Sequence, residues 1–79
     1  MPVKIEYTPR NVGTGYIVTC SDEPRRHFAR QCIKSFLEKA DYDIYPYGPD
    51  YTHKFLLLVP KGFSKKVRFR RMREALHKI

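Results

Sequence analysis

Apolar and polar positions alternate or repeat along almost the whole chain, with the period of a strand in some stretches and of a helix in others. Val3, Ile5 and Tyr7 alternate with Lys4, Glu6 and Thr8, the period of a half-buried strand. Pro9, Asn11 and Gly13 break the pattern. Alternation resumes at Tyr16, Val18 and Cys20, and the short loop predicts an antiparallel hairpin. Ser21-Asp22-Glu23-Pro24 then reads as a helix start: a capping oxygen, acids at the positive end of the dipole, and a proline in the first turn. Phe28, Ala29, Cys32, Ile33, Phe36, Leu37 and Ala40 follow at helical spacing and predict one apolar stripe to about Ala40. Tyr42 to Tyr47 reads as a third strand, kept to an edge because Pro46 has no N–H for a ladder. After Gly48-Pro49-Asp50, Lys54 to Val59 is apolar from Phe55 onward, as in a strand buried on both faces or central in its sheet. Pro60 and Gly62 end it, and Ser64 offers a cap for a last helix running to the C-terminus.

The order ββαββα predicts an α+β fold: a single two-layer domain over residues 1–79, a four-stranded antiparallel sheet with two helices on one face. A chain of 79 residues closes one core and no more. The expected core is Phe28, Cys32, Ile33, Phe36, Phe55, Leu57, Val59, Met72 and Leu76. The longest apolar run, Phe55 to Val59, is too short to span a bilayer, and the N-terminus carries no stretch of signal-peptide length. The expectation is a cytoplasmic protein with no membrane partner. Cys20 and Cys32 show no CxxC spacing, and Cys20, His27 and Cys32 match no common zinc pattern, so neither a disulfide, a metal nor a cofactor is expected.

Charge changes the picture. The chain has 16 Lys+Arg against 8 Asp+Glu, a net charge of +8. Residues 61–79 hold eight of those cations and only Glu74 in opposition, while residues 1–60 are nearly balanced. A solvated face mixes signs; this segment hardly does. In the helix of about 64–79, Phe69, Met72, Ala75, Leu76 and Ile79 fall on one side, and Lys66, Arg70, Arg73 and His77 form a ridge away from it. Arg71, Glu74 and Lys78 flank the ridge, Arg68 lies close to the apolar side, and Val67 sits among polar positions. Lys65 and Lys66 occupy a first turn where the dipole disfavours cations, and Lys66 and Arg70 are like charges at i,i+4, with Glu74 placed to offset part of this through Arg70 and Lys78. Local rules broken together at one place point to function. Four of the eight cations are arginine, whose planar fork suits phosphate oxygens. The sequence therefore predicts a small nucleic-acid-binding protein, DNA or RNA, making backbone contacts through Lys65, Lys66, Arg70, Arg71, Arg73 and Lys78.

Tyr42, Tyr45, Tyr47 and Tyr51 cluster around the second hairpin. They read first as cover for a sheet, with base stacking as the functional alternative. No RNP-type aromatic motif or helix-turn-helix is present, and no serine lies in a nucleophile motif. The chain is not expected to be an enzyme. Thr52-His53-Lys54-Phe55, Val59-Pro60-Lys61 and the basic terminal helix resemble the back half of HicA-type ribonuclease toxins, over about thirty residues. That resemblance implies ribonuclease activity with His53 as its acid/base residue. A short, dense α+β chain also resembles in kind the phage-encoded inhibitors of host machinery, anti-CRISPR proteins included. This second likeness implies an acidic protein or ribonucleoprotein surface as the partner of the basic ridge.

Overall fold

A computed structural model of the chain describes residues 3–10, 13–38, 41–49 and 52–79. Its elements are β1 (Val3–Thr8), β2 (Thr14–Cys20), α1 (Glu23–Leu37), β3 (Asp43–Pro46), β4 (Lys54–Val59) and α2 (Val67–His77), with a single 3₁₀ turn at Phe63–Lys65 before α2. All neighbouring strands are antiparallel, in the order β1-β2-β4-β3. β2 and β3 therefore run parallel with β4 between them, and α1 spans that gap. The predicted α+β fold, in the order ββαββα, is the observed one.

The hairpin between β1 and β2 depends on Gly13, which has φ +72° and lies against β4. A Cβ at that position would sit 2.4 Å from the Val59 carbonyl oxygen, so both conformation and space demand glycine. Cys20 N–H donates to the His53 carbonyl at 2.8 Å, extending the β2–β4 pairing one step beyond Lys54.

One face of the sheet carries Val3, Tyr16, Val18, Cys20, Phe55, Leu57 and Val59, all buried. Ala29, Ile33 and Leu37 of α1 and Phe69, Met72 and Leu76 of α2 close over them. Tyr16 stacks obliquely on Phe69 with ring centres 4.9 Å apart, tying β2 to α2. The helices run antiparallel: the start of α2 lies beside Phe36 and Glu38, and Ile79 lies beside Pro24 and Phe28.

Two expectations need correction, and of the two alternatives for Lys54 to Val59 the central one holds. Phe28 is not core but 57% exposed. The line through Ala29, Ile33 and Leu37 faces the sheet, and Phe28 lies about 140° from its centre at about 100° per residue. Cys32 and Phe36, nearer that line, are half-buried and pack on the core from the side. β4 is central, but only Phe55, Leu57 and Val59 are buried; Leu56 and Leu58 are half-buried on the sheet's other face. Ser64 caps nothing, because it is taken into the 3₁₀ turn that Gly62, with φ +84°, starts one step earlier. The final α-helix is correspondingly Val67–His77. The expected end of α1 at Ala40 and the placement of Tyr51 lie outside the described residues.

Candidate nucleic-acid interface

α2 begins at Lys66, whose extended backbone (φ −77°, ψ 149°) places its carbonyl to accept from Phe69 N–H at 3.1 Å and Arg70 N–H at 3.2 Å. No side chain caps this end and no acid stands in the first turn. The element holds because Phe69, Met72 and Leu76 are completely buried. Packing on one side thus supports an electrostatically unfavourable helix start on the other.

Lys65, Lys66, Arg70, Arg71, Arg73 and Lys78 are all exposed. Among the described residues, ion pairs join Lys4 to Glu6, Arg25 to Asp22 and Arg26 to Glu23, and none involves α2. Glu74, expected to pair with Arg70 or Lys78, pairs with neither. The Lys66 ammonium instead lies 5.5 Å from the centre of the Phe63 ring, which Phe69 in turn meets edge-on at 6.3 Å. That contact steadies Lys66 without neutralising it.

The six cations do not make one ridge. Arg70 and Arg73 lie within about 60° of one another on the helix. Arg71 and Lys78 lie round toward α1. There Arg71 and Arg68 line an open recess with Ser35, Phe36, Glu38 and Val67. Arg68, which the sequence places close to the apolar side, is exposed and joins the cationic surface. Val67, the position that the core pattern left unexplained, is 53% exposed in that same recess.

His53 lies in the turn before β4, where its Nδ1 and Thr52 Oγ1 are 2.9 Å apart. The basic helix starts beyond the other end of β4. Six residues of strand, roughly 20 Å at about 3.3 Å each, lie between them. Of the clustered tyrosines, Tyr45 is 48% exposed and pairs with Leu56, which places it on the sheet's uncovered face, whereas Tyr42 packs against the core.

Cys20 and Cys32 are both free thiols. Burial pushes the Cys20 thiol up to about 11, with Arg26 pulling the other way, and burial also raises Cys32. Burial thus disfavours the thiolate of both. Among the described residues, no three metal-capable side chains gather, and no helix is long and apolar enough to cross a membrane. Comparison of the chain with family models, curated proteins and solved structures returns no match.

Proposed function

We propose that the chain binds nucleic acid by contacting its phosphate backbone with Lys65, Lys66, Arg70, Arg71, Arg73 and Lys78. The observation that carries this reading is the set of exposed cations on and beside α2, none paired with a carboxylate among the described residues, on a helix fixed to the core by its opposite side. An unneutralised cation pays no cost to leave an existing partner when a phosphate arrives. Arginine adds bidentate geometry. An 11-residue helix is about 16 Å long, enough to track several phosphates, and contacts to the phosphate backbone carry no sequence information. Binding is therefore insensitive to sequence and sensitive to salt.

Titration of duplex DNA over a range of salt concentrations tests this. Four phosphate contacts give a slope of log K against log salt of roughly −3.6, from about −0.9 per contact. Lys66→Ala, Arg70→Ala and Arg73→Ala together should flatten the slope by roughly 2.7 on the same basis while leaving the melting temperature nearly unchanged. A triple variant that binds as the parent does overturns the reading. Capture of a partner that survives nuclease treatment would point instead to an acidic protein surface.

A further inference from the structure

The flank of α1 away from α2 carries a second, separate cationic site. Arg26, Arg30 and Lys34 follow one another at i,i+4 along the side of α1 that overhangs β3. Like charges at this spacing repel. Lys54 adds a further cation from β4, and with Arg26 and Arg30 it lines a cleft of about 120 Å³ bounded by Ile44 and Phe55. Among the described residues, Arg30, Lys34 and Lys54 form no ion pair with a carboxylate, and Arg26 pairs with Glu23 alone, at 3.9 Å. Arg26 is mostly buried, yet its Nε–H has no acceptor. A buried charged donor left unsatisfied is costly, and no described side chain offsets it.

Beside the cleft, and sharing Arg30 and Ile44 with it, lies a recess of about 250 Å³ lined by His27, Gln31, Lys34 and Tyr42. The cleft is large enough for a phosphate. The recess offers an aromatic ring and an aliphatic side chain, with the Gln31 amide and the His27 imidazole, 3.5 Å apart, at its rim. An apolar floor edged by amide and imidazole groups is the chemistry that receives a heterocyclic base. Together the two spaces reach the low end of the roughly 300–1,000 Å³ usual for small-molecule sites. We infer that the α1–β3 groove binds a nucleoside monophosphate, its phosphate held by Arg26, Arg30 and Lys54 and its base lodged against Tyr42. This site shares no residue with the α2 surface and stands whether or not that surface binds nucleic acid.

Calorimetric titration of the intact chain with each of the four common nucleoside monophosphates, and with inorganic phosphate, tests the inference. At least one nucleotide should bind about tenfold or more tighter than phosphate. Arg30→Gln, at an exposed position, should weaken nucleotide binding by about tenfold, and Lys54→Gln should act in the same direction. Tyr42→Ala should remove the preference for nucleotide over phosphate. The Lys66/Arg70/Arg73 alanine variant should bind nucleotide as the parent does. Arg26→Gln is less suitable because its buried side chain also packs, so Arg30→Gln decides. Equal affinity for phosphate and nucleotides, no binding of any nucleotide, undiminished binding by a folded Arg30→Gln protein, or loss of binding in the α2 variant would each overturn the assignment.

Discussion

Asp22 fixes where α1 begins. Its Oδ1 accepts from the Arg25 N–H at 2.8 Å, and its other oxygen pairs with the Arg25 guanidinium. The backbone hydrogen bond first, then the Arg25 side chain, holds the Asp22 carboxyl below the ordinary aspartate range. A lowered folded value stabilises the protein above the unfolded pKa, and that contribution disappears as pH falls through the folded value. Asp22→Asn keeps a capping oxygen and loses the charge, while Asp22→Ala loses both. Melting temperature near neutral pH should fall in the order parent, Asn, Ala, and the differences should shrink in acid. Cys20 works in the opposite direction. Its thiol stays protonated in the folded state up to about 11, against an ordinary value of 9.0. The stability it confers is complete below about 9 and is lost as pH climbs toward 11. Chemical denaturation of Cys20→Ala across this interval should show a shallower alkaline decline than the parent, and parallel curves would contradict the assignment.

At the scale of elements, β4 is the member on which the others depend. It pairs with β2 on one side and β3 on the other, and its Leu57 is completely buried beneath both helices. Leu57→Ala should cost about 2–5 kcal/mol, since it leaves a cavity in the core. Urea unfolding is the direct measurement, and in a domain this small such a loss approaches the whole stability. α2 shows a different balance. Its uncapped start and crowded cations oppose helix formation, while Phe69, Met72 and Leu76 more than compensate through burial. Its bounds were harder to read from sequence than its existence. Ser64 looks like a cap by residue type, but cap geometry depends on where the chain enters, and the positive φ of Gly62 moves that entry point upstream.

For the whole molecule, a charge of +8 is spread over an accessible surface of 5367 Å². With few ion pairs, the folded state is strained by self-repulsion that salt screens and a polyanion removes. The melting temperature should rise by a few degrees between low and physiological salt. Duplex DNA at low salt should raise it as well, and less so for the Lys66/Arg70/Arg73 alanine variant. A melting temperature indifferent to salt would mean that the cations are too far apart or too well solvated to repel. The charge is also divided. Residues 1–60 nearly balance in sum, yet Glu6, Asp22 and Glu23 are tied to Lys4, Arg25 and Arg26, and Arg30, Lys34 and Lys54 pair with no described carboxylate. A sum along the chain conceals this segregation in space.

Periodicity alone determined the strands, the helices and their order, because a period of two or 3.6 residues is a local property of side chains that must share a face. Pro46 at the edge, Asp22 at the helix start and the cations of residues 65–78 were legible for the same reason. Tertiary structure decided the rest. Which part of the α1 stripe faces the sheet depends on where α2 packs, and so Phe28 emerged at the surface while Ala29, apolar but small, went to the centre. Leu56 and Leu58 lie on an uncovered sheet face although their run of apolar neighbours is unbroken, since both helices close over the other face. The groove of Arg26, Arg30 and Lys54 joins residues almost thirty positions apart; it exists only because α1 crosses over β4 to reach β3, and no spacing within the sequence encodes that crossing.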